Sequence, residues 1–134
     1  MASSARPGNR TAVAMRGVMA IVIAVAANSF LLSALLLSGA VEPFEPLSYP
    51  SVVSLTALGV GGATVVYWLV ARWKETPDSW FLGVALVVLL ISFVPAIGWF
   101  RTDPAASLDG VVVLMSMHVV AAVVTIAVLT DLGR

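Results

Sequence analysis

WFLGVALVVLLISFVPAIGWF, residues Trp80 to Phe100, contains no Lys, Arg, Asp or Glu. At 1.5 Å rise per residue, a helix of about 20 residues matches a hydrocarbon core of about 30 Å, so the stretch is long enough to cross a bilayer once. Its centre, Val84-Ala85-Leu86-Val87-Val88-Leu89-Leu90-Ile91, does not alternate apolar with polar residues, which excludes a strand of a membrane barrel. A helix satisfies every backbone N–H and C=O within the segment itself, which a lone crossing through lipid requires.

Three more stretches read the same way: Gly17 to Leu37, Val52 to Ala71 and Gly110 to Leu129, all without a charged residue. The composition agrees, with 60% hydrophobic and 10% charged residues, against about 25% charged in a soluble domain. The expected fold is an all-α membrane protein, with four transmembrane helices in an antiparallel bundle. Spans fall at about 17–37, 52–71, 80–100 and 110–129 in a single domain over residues 1–134, and residues 1–12 form a flexible cytoplasmic tail. Short connections leave no room for a soluble domain. With no cysteine in the chain, thiolate metal sites and thiol nucleophiles are excluded.

Positive charge sets the expected orientation. Arg6, Arg10, Arg16, Arg72, Lys74 and Arg134 fall on one side of the spans and Arg101 alone on the other. The positive-inside rule then places both N and C termini in the cytoplasm, in the plasma membrane of a prokaryote. Trp73 and Trp80 bracket the inner loop, while Tyr49, Trp99 and Phe100 mark the outer boundary, where amphipathic rings prefer to lie. Ser38-Gly39-Ala40 fits a signal-peptide cleavage site, but the apolar stretch before it exceeds the 7 to 15 residues of a signal core. Net charge is zero and no basic run exists, so nucleic acid is not an expected partner.

Small residues four apart let helix backbones approach closely in lipid. Gly59 with Ala63, and Ala57 with Gly61, place the expected tight crossing on the second helix, either inside the bundle or as a dimerisation face. Pro43, Pro46 and Pro50 with Glu42 and Glu45 predict an extended outer loop, and Thr76-Pro77-Asp78-Ser79 a turn in which Asp78 or Ser79 caps the third helix. Pro95 predicts a kink, freeing the Ile91 carbonyl for Ser92 or a neighbouring helix.

Polar side chains inside a membrane are costly, so each is a candidate site. Asn28 is the most polar residue of the first span, and His118, the sole histidine, lies near the middle of the fourth, sharing a face with Ala122 and Thr125. Counting residues from the span ends puts Asn28 and His118 at similar depth. A hydrogen bond between them would fasten the first helix to the fourth for about 1 to 2 kcal/mol. The alternative gives Asn28, His118, Ser92 and Thr125 to an intramembrane ligand site.

Catalytic and metal sites lack their parts. Ser92 and Ser116 have only His118 as a base and no acid in the spans to orient it. No carboxylate or second histidine in the spans completes a metal site, and Met115 and Met117 lie too close to His118 on one helix to ligate the opposite face of a haem. Gly59-Val60-Gly61-Gly62 is inside an apolar helix and is no phosphate loop. No cofactor and no enzymatic activity are expected.

In length and helix number the chain is similar to the small multidrug transporters. Those depend on a glutamate in the first helix, where this chain has Asn28 and no acid. It more closely resembles an uncharacterised family of small four-helix membrane proteins of actinobacteria and haloarchaea. The resemblance rests on Ala26-Ala27-Asn28, a proline-containing outer loop, Pro77-Asp78 leading into the 84–92 run, and Met117-His118-Val119-Val120-Ala121-Ala122. It implies a four-helix membrane fold and no assigned activity. The functional expectation is a non-enzymatic protein of the lipid bilayer, acting as a homo-oligomer or an accessory subunit of a larger membrane complex. The alternative is a carrier for a small apolar molecule, with a pocket near Asn28, Ser92 and His118.

Overall fold

The computed structural model describes residues 9–40, 48–104 and 107–130, apart from the side chain of Trp99. It contains four helices, α1 (Arg10–Leu37), α2 (Tyr49–Trp73), α3 (Pro77–Thr102) and α4 (Leu108–Leu129), and no strand among the described residues. All four are long and apolar enough to cross a membrane. Large apolar side chains such as Phe30, Leu58, Leu90 and Val123 point outward from the helices and are exposed. Such surfaces suit lipid rather than water. Residues 1–8, the loop prolines Pro43 and Pro46 with Glu42 and Glu45, and Arg134 lie outside the described residues.

Each helix runs past the apolar stretch that announced it. α1 begins at Arg10, because Asn9 Oδ1 accepts hydrogen bonds from the Thr11 and Ala12 backbone N–H groups at 3.0 and 3.5 Å. Arg10 to Ala12, expected in a flexible tail, are therefore helical. α3 starts on Pro77, whose fixed φ suits the first helical position and whose missing N–H costs nothing there. Asp78 does not cap this helix from the turn; it sits in the first helical turn and accepts a hydrogen bond from the Tyr67 hydroxyl at 2.8 Å. α3 continues through Pro95, and Ser92 Oγ donates to the Leu89 carbonyl at 2.6 Å rather than to that of Ile91.

The core is three layers stacked along the bundle. The first joins Val13, Tyr67, Phe81 and Leu129, with the Tyr67 and Phe81 rings edge to face at 5.2 Å. Ala20, Ala24 and Val60 form the middle, and Leu32, Val52, Ala96, Val111, Leu114 and Met117 form the third. α3 supplies Phe81 to the first and Ala96 to the last but has no buried residue between them. It is held at its two ends and stands off in the middle.

Cations gather at the first-layer end. Arg16 Nη1 donates to the Leu129 carbonyl at 3.2 Å, where the dipole at the end of α4 favours positive charge. The Arg10 and Arg72 guanidinium groups lie 5.3 and 4.9 Å from the centroid of the Trp68 ring, tying the start of α1 to the end of α2.

Candidate functional site

The buried residues of α1 are Val13, Gly17, Ala20, Ala24, Asn28 and Leu32, spaced three or four apart on one face. Because the preceding four are small or short, α1 sits deep against α2 and α4 and carries Asn28 inside, 2% exposed. Its Nδ2 donates to Thr56 Oγ1 of α2 at 3.2 Å and to the Met117 carbonyl of α4 at 3.3 Å. The carbonyl fixes the orientation of the amide, since it only accepts and must face the nitrogen. Asn28 Oδ1 is left buried with no hydrogen-bond partner among the described residues. Thr56, also buried, uses its oxygen as acceptor and gives its own O–H to no acceptor there. By contrast, Thr64 and Thr125 turn theirs back to the carbonyls of Val60 and Ala121 at 2.8 and 2.6 Å.

The expected bond between Asn28 and His118 is not formed. His118 Nδ1 donates to the Leu114 carbonyl one turn back at 2.7 Å, and the ring stands edge to face with Phe93 at 6.4 Å. A histidine in a helix reaches its own i−4 carbonyl without crossing between helices, and this bond outcompetes the one expected with α1. Asn28 does fasten α1 to α4, but through the Met117 backbone. With Nδ1 carrying its hydrogen, a neutral His118 ring keeps Nε2 as an acceptor.

Where α3 stands off, a cavity of about 450 Å³ opens between α2 and α3. All four sequence candidates, Asn28, Ser92, His118 and Thr125, line it together with Thr56. Leu55, Leu58 and Val88 on its border are exposed on the outer surface, so the cavity is a groove open to whatever surrounds the protein. The remaining lining is apolar, and no charged residue contributes. Its size falls within the range of small-molecule sites, about 300 to 1,000 Å³.

The small residues of α2 divide between two faces. Gly59, Gly62 and Ala63 line the groove, and a Cβ on Gly59 or Gly62 would meet nothing within 4 Å. Gly61 has only Ile21 Cδ1 of α1 nearby, at 3.9 Å, and Ala57 is half-buried. The expected tight crossing at 59–63 is met only in part: Val60 is buried with Ala20 and Ala24 of α1, but the glycines around it do not make the closest contact. Close approach falls at Gly17, where a Cβ would overlap Thr64 Cγ2 and come within 2.8 Å of its Oγ1. Packing of α1 against a threonine-bearing face of α2 sets the crossing, and spacing of glycines within one helix does not report it.

Sequence reasoning missed Thr56 and the Met117 carbonyl. Thr56 lies among Ser54, Leu55 and Ala57 with nothing in its neighbours to separate it from Thr64. A backbone carbonyl carries no side-chain signal at all.

These features define a class: a small all-α protein of four helices, each able to cross a membrane, with a side groove whose few polar groups sit at its base. The chain belongs to a family of unknown function (DUF6069), which matches residues 5–134. Comparison with curated proteins and with solved structures finds no significant match.

Proposed function

We propose that this protein is a non-enzymatic membrane protein that holds a small, largely apolar molecule in the groove between α2 and α3. One observation carries the reading: the groove is apolar, open on its outer side, and carries at its base the hydrogen-bonded pair Asn28 and Thr56, with Ser92, His118 and Thr125 also in its lining. A ligand would enter from the acyl-chain region without crossing water, and leave by the same path. The spans form an antiparallel bundle in the plasma membrane of a prokaryote with both termini cytoplasmic, supported by six positive residues against one.

Photocrosslinking with a medium-chain alkyl diazirine tests this directly. The expected result is labelling concentrated on groove positions such as Val84, Val88 and Ala122, suppressed by excess unlabelled alkane and by Gly62→Leu. Uniform labelling of all outward-facing residues, including Val22 and Phe30 on α1, would overturn it.

A second reading, association with another copy or with a larger membrane complex, draws support from Gly59 and Gly62, which leave room on the outer face for a neighbouring helix. Native mass measurements across mild detergents and lipid discs that return only monomer would count against it.

A further inference from the structure

We propose that the molecule held in the groove is an uncharged amphiphile bearing a hydroxyl group, which donates to Asn28 Oδ1 and accepts from Thr56 Oγ1. This rests on the groove reading above and names the chemistry of its ligand.

Two unfilled hydrogen-bonding positions of opposite kind belong to neighbouring side chains that both line the groove. Asn28 Oδ1 is an acceptor with no partner among the described residues. Thr56 has an O–H with no acceptor among them. The two side chains are already joined by the 3.2 Å bond from Asn28 Nδ2 to Thr56 Oγ1, so one small polar group can reach both. Leaving such groups empty in a low-dielectric interior is unfavourable, and native proteins seldom do so without a purpose.

The pair selects by type. A ketone, ester or ether accepts only and cannot satisfy Oδ1. A carboxylate would face Oδ1 with like partial charge, and the described groove lining supplies no cation to offset it. An ammonium donates but finds no carboxylate there. A hydroxyl, alcoholic or phenolic, both donates and accepts. Asn28 Oδ1 itself exposes almost no surface, so a small rotation of the amide or of Thr56 accompanies entry of the head group, while the tail lies along Val84, Val88 and Leu55. Water satisfies the same two atoms, and the test separates it from a ligand with a tail.

The chain is unusually suited to that test. It has no glutamine and two asparagines, Asn9 and Asn28, so side-chain amide signals come from these alone; His118 is the single histidine. The full chain, isotopically labelled in lipid discs, is titrated with decanol, decyl methyl ether, decanoate and decane. Decanol is expected to shift the Asn28 amide pair saturably and leave Asn9 unmoved, with the ether and decanoate binding about tenfold more weakly, the worth of one well-placed hydrogen bond. Asn28→Leu, read on the His118 signals, should bring decanol and the ether to equal affinity, whereas Thr56→Val should weaken both by a similar factor and keep decanol ahead, with Thr56→Ser restoring both; retained helicity confirms that the variants fold. Equal binding of decanol and ether to the unsubstituted chain, with His118 signals shifting for both, would overturn the hydroxyl inference and leave the groove reading standing. A preference for decanol that survives Asn28→Leu would likewise overturn it. If no probe shifts Asn28 or His118 saturably, the groove reading itself fails.

Discussion

Helix α2 carries small or slender residues on two faces, and the two faces end up in opposite situations. Toward α1 the seam is closed: Gly17 lies so near Thr64 that even a methyl group would not fit. Toward α3, Gly59 and Gly62 face open space and the helices part into a groove. Small residues permit close approach but do not compel it. What closes the first seam is the run of Gly17, Ala20 and Ala24 on α1, which lets two backbones come together over several turns. What keeps the second open is α3, braced at Phe81 and Ala96 with only half-buried or exposed residues between.

The comparison breaks most readily at the closed seam. Gly17→Leu should cost about 3 kcal/mol by forcing α1 from α2, measured as loss of helicity on titration with SDS in mixed micelles. Thr64→Gly should recover part of it, because the clash is with that side chain; failure to recover would mean the seam is not where the cost arises. Asn28→Leu ranks next, at about 1 kcal/mol, since it removes bonds to both α2 and α4 and interhelical bonds in membranes average about 0.6 kcal/mol each. The same titration checks it, and a stabilising outcome would show that the unpartnered Oδ1 costs more than the two bonds return.

Tyr67→Phe should cost about 1 kcal/mol or slightly less by removing the hydrogen bond to Asp78, which joins the end of α2 to the start of α3 while the Phe81 ring contact remains. Because that bond is one of the two ends bracing α3, hydrogen exchange in the first turns of α3 should quicken in this variant. The smallest effect belongs to the open face. Gly59→Ala should leave stability unchanged or raise it by about 0.5 kcal/mol, as a helical glycine gains from a methyl group that meets nothing. Gly17→Ala should do the reverse, so the sign difference between two identical substitutions measures the contrast between the faces.

Much of the site was visible in the sequence, though not its wiring. Asn28, Ser92, His118 and Thr125 stand out because polar groups in apolar runs are expensive, and they do line one groove. Their pairings were not legible. His118 Nδ1 bonds Leu114 on its own helix, and Asn28 Nδ2 bonds a threonine and a backbone carbonyl while its Oδ1 has no partner among the described residues. Depth counting located Asn28 and His118 along the bundle axis but carried no information about direction around each helix. Thr56 carries no mark of its own in the sequence, and a threonine in a membrane helix ordinarily bonds its own backbone, as Thr64 and Thr125 do.

The sequence by itself determined that there are four helices, where their apolar centres lie and that all suit a membrane, since in lipid the backbone must satisfy itself and a charge-free run of about 20 residues leaves it one way to do so. It did not determine which face of each helix turns inward. In water that choice is written as an apolar stripe, but here inner and outer faces are equally apolar, so periodicity falls silent. Only the tertiary structure decided that Gly17 closes one seam, that Gly59 and Gly62 leave another open, and that Asn28 and Thr56 meet at the base of the groove between α2 and α3.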